Sequence, residues 1–215
     1  MESAIYPCAS WRERISIFRQ LLTSATREAS VAMSRWVGEV IDLELEDVQA
    51  VPLEAVSAQL GLDESVSVLV VLTLRPPLAG EILLHFDQQS ARALAAALTG
   101  VITQQQECWS ELERSALLET GNILGCAYVN ALSRMIDHEL VPSAPTLVCD
   151  FAQSVLQQAL ALQLQYSDYV VVSRTRFTRG DQNLSWWVLF LPSPELQETM
   201  NRSLRPVISR CRSSV

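Results

Sequence analysis

The second half of this chain reads as a copy of the first, displaced by 99 residues, and that repeat constrains the fold more than any other feature. Ala32-Met33-Ser34-Arg35 matches Ala131-Leu132-Ser133-Arg134, and each segment closes a long helical pattern. The first pattern spans roughly Trp11 to Val37 and the second roughly Cys108 to Asp137. An extended segment follows each, Val40 to Val51 in the first half and Val141 to Val148 in the second. A short helix, a strand pair and a closing helix then complete each half. The strand pairs are Val66 to Leu74 with Gly80 to Phe86, and Tyr169 to Thr178 with Leu184 to Leu191. Arg75-Pro76-Pro77-Leu78 and Arg179-Gly180-Asp181-Gln182-Asn183 read as their turns. Closing helices start near Asp87 and at Ser193-Pro194, where Ser suits the N-cap and Pro the first helical position.

The predicted fold is α+β: one domain over 1–215, made of a half at about 10–100 and a similar half at about 108–205. About six strands would form one continuous, mainly antiparallel sheet, with the two long helices paired on one face. Alternation in Val172-Ser173-Arg174-Thr175-Arg176-Phe177 predicts one solvated sheet face.

Composition narrows the functional classes. The net charge of −8 argues against nucleic acid, whose phosphates require clustered cations. Arg202, Arg205, Arg210 and Arg212 concentrate charge near the end and read as a solvated terminus. The chain has no Lys, which removes lysine Schiff-base chemistry. No apolar run reaches the roughly 18 residues that cross a bilayer, so membrane insertion is not expected. The start lacks the basic and apolar regions of a signal peptide. A cytoplasmic location follows as the expectation, with its five cysteines reduced. Cys126 and Cys149 read as core residues. His85 and His138 lack ligand spacing, so no metal site of the chain's own is expected.

The chemistry-bearing stretch is Ser115-Ala-Leu-Leu-Glu119-Thr-Gly-Asn122, with Pro145 after a further twenty-two residues. At about 100° per residue, Ser115, Glu119, Asn122 and Cys126 fall within roughly 60° of one helix face. Leu117, Leu124, Tyr128, Ala131 and Met135 fall on the opposite face, which would be buried. A Glu and an Asn on the outer side of an amphipathic helix are often only a solvated surface. A Gly-Asn pair in mid-helix, however, costs helix stability and asks for a packing or functional reason.

This run resembles the signature of the CheC/CheX family of phosphatases: Asp or Ser, three residues, Glu, two residues, Asn, twenty-two residues, Pro. Ser115, Glu119, Asn122 and Pro145 meet every fixed position. Gly121-Asn122-Ile123-Leu124-Gly125, Asn130-Ala-Leu-Ser133, Val170-Val171-Val172 and Phe190-Leu191-Pro192-Ser193-Pro194 add to the likeness. The resemblance implies the same α+β architecture and hydrolysis of the aspartyl phosphate of a CheY-like response regulator in chemotaxis or motility signalling. Asn122 would hold the attacking water and Glu119 would pair with the regulator's Lys, with Ser115 and Pro145 in support. Mg2+ would be supplied by the regulator, so no cofactor belongs to this chain. CheD is a further possible partner under the same resemblance. The alternative it leaves open is a non-enzymatic module, FliM-like or a CheD-binding adaptor.

The repeat supplies an internal control. Its alignment sets Ser16 opposite Ser115, Gln20 opposite Glu119, Thr23 opposite Asn122 and Glu46 opposite Pro145. Only the Ser survives in the first half, so one intact site is expected and the first helix should be catalytically silent.

Overall fold

The computed structural model describes residues 11–61, 66–101 and 108–212. Helix α1 (Trp11–Val37) leads into strand β1 (Asp42–Pro52), a 3-10 turn and the short α2 (Val56–Leu60). Strands β2 (Val66–Leu74) and β3 (Gly80–Asp87) precede α3 (Gln88–Thr99). The second half runs α4 (Glu111–Ile136), β4 (Thr146–Phe151), α5 (Ala152–Gln163), β5 (Tyr169–Arg179), β6 (Gln182–Pro192) and α6 (Pro194–Arg212). The protein is α+β, with six strands in one antiparallel sheet of order β1-β5-β6-β3-β2-β4.

Exchanging β1 with β4, β2 with β5 and β3 with β6, then reading backwards, returns the same sheet order. The outer strands are traded between halves: β1 pairs with β5 and β4 with β2. Neither set of three strands therefore forms a sheet of its own.

Helical spacing explains the long-helix layer. Phe18, Leu22, Ala25, Ala29 and Met33 of α1 are buried, as are Leu117, Leu124, Tyr128 and Ala131 of α4. They pack on Val68, Val70, Leu72 and Leu74, alternate residues of β2. Tyr128 ties the layers together, its hydroxyl 3.1 Å from Thr26 Oγ1 of α1 and 3.3 Å from Thr175 Oγ1 of β5.

The opposite sheet face differs from the sequence expectation. Leu69, Leu83, Val170, Val172 and Leu189 are buried there with Leu60, Leu156 and Leu160 of α2 and α5. These helices are short, so the cover is partial. Beyond it lies Arg174, exposed and over the Trp187 ring at 5.4 Å. One end of this face is thus a second core and the other is solvated. His85 belongs to the covered part, its Nε2 2.8 Å from Ser67 Oγ.

Element boundaries shift in several places, and the extended segment expected at Val141 to Val148 becomes a strand only over Thr146–Phe151. The second long helix starts at Glu111 rather than near Cys108. The expected five-residue hairpin turn tightens to Gly180-Asp181, because β5 and β6 extend to Arg179 and Gln182. The arginine-rich terminus belongs to α6, which continues to Arg212. Among the described residues, no helix is long and apolar enough to cross a membrane.

Candidate functional site

The phase of the polar stripe on α4 is set where the helix begins. Ser110 is the N-cap: its Oγ accepts from the Glu113 backbone N–H, and Glu113 Oε2 accepts from the Ser110 N–H at 2.9 Å. Glu113 is buried and paired with Arg92 of α3 at 2.8 Å, and the Arg92 guanidinium lies 4.3 Å from the centre of the Trp109 ring. This buried pair joins α4 to α3 just ahead of Ser115.

Glycine then brings the helix onto the sheet. A Cβ on Gly121 would sit 2.3 Å from Val70 Cγ1, and one on Gly125 would sit 2.6 Å from Leu72 Cδ2. The glycine of the Gly-Asn pair therefore has a packing reason. Close approach at Gly121 brings this turn of α4, with the adjoining Asn122, against β2.

A groove of about 480 Å³ runs between α4 and the chain entering β4. Ser115, Glu119, Asn122 and Pro145 all line it, so the four motif positions meet on one open surface. Leu118 and Ala144 add apolar lining, and Glu111 and Arg114 add charge. Glu119 and Asn122 are half-buried and Ser115 is exposed. The loop bearing Pro145 is fastened to β2: Ser143 N–H donates to Thr73 O at 2.8 Å, and Thr73 N–H donates to Ser143 Oγ at 3.1 Å.

Asn122 is oriented from within its own helix. The Cys126 thiol donates to Asn122 Oδ1 at 3.5 Å, which leaves the Nδ2 hydrogens for the groove. Burial and the nearby Glu119 charge push the Cys126 thiol up, so it remains protonated and a donor. Cys126 is therefore a half-buried partner of the amide rather than a core residue. Cys149 is also not in the core. It is exposed, because β4 is an outer strand.

Sequence reasoning passed over Arg114 and Ser143. Arg114 precedes Ser115 by one residue, outside the stripe on a helical wheel, and its long side chain reaches the groove regardless. Ser143 acts through strand-end hydrogen bonds that only the paired structure defines.

The matching surface of the first half is built differently. Ser16 and Gln20 are exposed, and Thr23 Oγ1 donates back to Arg19 O at 2.7 Å. Arg19, which stands where Leu118 does, crosses from α1 to an ion pair with Asp47 on β1. Glu46, opposite Pro145 in the repeat, sits where the β1–β5 pairing shifts at a bulge. It is held by Arg174 at 3.1 Å, Arg176 at 3.4 Å and Ser185 Oγ at 3.2 Å. The Arg19–Asp47 pair thus joins α1 to β1 from the position that Leu118, a groove-lining residue, holds on α4.

No protein-family model matches the chain. A Halobacterium salinarum protein named "Putative CheY-P phosphatase CheC1" is 27% identical over 135 residues, which is 63% of this chain and 68% of that protein. The chain is CheC-like over that stretch. Its fold is shared with the crystal structure of FliY from Thermotoga maritima, with a TM-score of 0.70, 17% identity, and 95% and 99% of the two chains covered. A chain of the FliM-SpeE complex from H. pylori gives 0.68 and 14% identity, covering 91% and 98%. Among the described residues, no group of three or more His, Cys, Asp and Glu is arranged to hold a metal ion.

Proposed function

We propose that this chain is a phosphatase that hydrolyses the aspartyl phosphate of a CheY-like response regulator in chemotaxis or motility signalling. The observation that carries the reading is the meeting of Ser115, Glu119, Asn122 and Pro145 in one groove, Pro145 arriving from a separate segment. The named relative from H. salinarum supports it.

Phosphoryl transfer asks a protein mainly for positioning and electrostatics. In this reading Asn122 directs its Nδ2 hydrogens into the groove and holds the water oxygen in line with phosphorus. Glu119, one turn away, pairs with a cation beside the regulator's phosphoryl group and fixes the docked orientation. Ser115 and Pro145 shape the groove around them. The divalent ion accompanies the regulator, and water takes the phosphoryl group from the aspartate. The first half, with no carboxylate at Gln20 and no amide at Thr23, contributes structure only.

The test is the decay of a phosphorylated CheY-like receiver with and without the protein. Acceleration supports the phosphatase. Binding without acceleration would identify the other reading, a FliM-like or CheD-binding interaction module. In the phosphatase reading Glu119→Ala weakens both receiver binding and turnover, and Glu119→Gln recovers less than half of the loss. Unchanged affinity in both variants would remove Glu119 from docking.

A further inference from the structure

Arg114 lines the groove beside Ser115, together with the carboxylates of Glu111 and Glu119. Among the described residues its guanidinium has no hydrogen-bond or ion-pair partner. The arginines that cross to neighbouring elements contrast with it: Arg19 pairs with Asp47, Arg92 with Glu113, Arg174 with Glu46 and Arg179 with Glu39. Arg114 is an exposed cation that lines the groove.

Its position follows from its neighbours. Its charge reaches the Cys149 thiol on β4, opposing the upward push of burial there. The cation lines the same groove as Ala144 and Pro145 of the segment entering β4. The chain carries a net charge of −8, and two carboxylates line the groove. A ligand bearing an acyl phosphate is itself anionic, so this surface would repel it without a local cation.

We propose that Arg114 is the docking and specificity residue of the groove, which binds anionic oxygen on the phosphorylated partner and opposes repulsion by Glu111 and Glu119. This rests on the phosphatase reading above. The anionic oxygen belongs either to the phosphoryl group or to a carboxylate at its rim. A planar guanidinium suits both, and both make the encounter depend on salt. Arg114 acts on encounter and affinity, whereas Asn122 acts on turnover.

The probe is a CheY-like receiver charged with acetyl phosphate, or its stable beryllofluoride adduct for binding. Arg114→Ala should raise the half-saturating receiver concentration about five- to tenfold and flatten the salt dependence of kcat/KM. Arg114→Lys should recover part of the affinity, and Arg114→Glu should fall below Ala. Loss confined to the beryllofluoride form assigns the contact to phosphoryl oxygen, and equal loss with the unmodified receiver assigns it to a carboxylate. Wild-type half-saturation and salt dependence in Arg114→Ala would overturn the proposal, as would a fall in kcat alone. If the wild-type protein fails to speed decay, the phosphatase reading is lost, but titration with the beryllofluoride adduct still decides Arg114. Absent binding, or unchanged binding in Arg114→Ala, would then overturn it.

Discussion

The thiol of Cys126 donates to the side-chain oxygen of Asn122 across 3.5 Å, one helical turn apart. This contact selects which end of the carboxamide faces the groove. Removing the donor lets the amide rotate without disturbing the sheet. Cys126→Ala is therefore predicted to lower kcat severalfold at unchanged half-saturation, consistent with about 1 kcal/mol for a lost hydrogen bond. Cys126→Ser, which keeps a donor, should retain most of the activity. Equal turnover in wild type and Cys126→Ala would show that the contact does not orient the amide.

Gly121 concerns packing rather than chemistry. A methyl group there meets Val70 Cγ1 at 2.3 Å, so Gly121→Ala should destabilise the fold by about 1–3 kcal/mol through overpacking. Adding Val70→Ala should reduce that penalty, because the new methyl enters the vacated space. Urea denaturation of both single variants and the double variant measures the coupling. Strict additivity would contradict the close approach.

Burial pushes His85 down to about 4, with Asp87 opposing the shift. Between about pH 6.5 and 4 the unfolded chain binds a proton that the folded chain excludes. Stability should therefore fall with pH across that window, by at most about 1.4 kcal/mol per pH unit from this group, and the slope should flatten below it. His85→Gln, which can still bond Ser67, should lose that part of the slope. Urea midpoints at a series of pH values compare the two proteins, and identical slopes would contradict a buried neutral imidazole.

The first helix offers a constructive test of the repeat. Gln20→Ala with Thr23→Ala should leave turnover near wild type. Installing Glu at 20 and Asn at 23 in an Asn122→Ala background should restore activity only when Arg19→Leu is added, because Arg19 bridges to Asp47 across that surface. Turnover assays with circular dichroism check the set. Lost activity in the first variant with its fold intact would bring the first helix into the mechanism.

Much of this was legible from periodicity. Apolar spacing along Trp11–Val37 specifies a helix, and the apolar run Val66–Leu74 specifies a strand, which the structure buries on both faces. The start of α4 was missed because its decisive signal is the Ser110–Glu113 capping box, while Cys108 and Trp109 extend the apolar pattern upstream without being helical. The buried environment first read for Cys149 failed because an apolar strand sequence does not reveal that its strand is outermost. At the groove, helical spacing set Ser115, Glu119 and Asn122 on one face, and the resemblance to the CheC/CheX signature added Pro145. Neither gave a hint of Arg114, whose role depends on side-chain reach; Cys126 was set on the same face as Asn122, but the contact between them depends on rotamer. The role of the glycines also needed three dimensions, since Val70 and Leu72 lie some fifty residues away in sequence.

The central claim is that Asn122 supports hydrolysis from the groove. The most direct measurement is the first-order decay of a phosphorylated CheY-like receiver with no addition, with wild type and with Asn122→Ala. Wild type should accelerate decay, and Asn122→Ala should lose that acceleration by about a hundredfold, the scale of a misplaced reactant. Its unfolding free energy should change by only about 0.5 kcal/mol, because the removed side chain carries little of the core. Equal acceleration by Asn122→Ala and wild type, or none by wild type, would contradict the account.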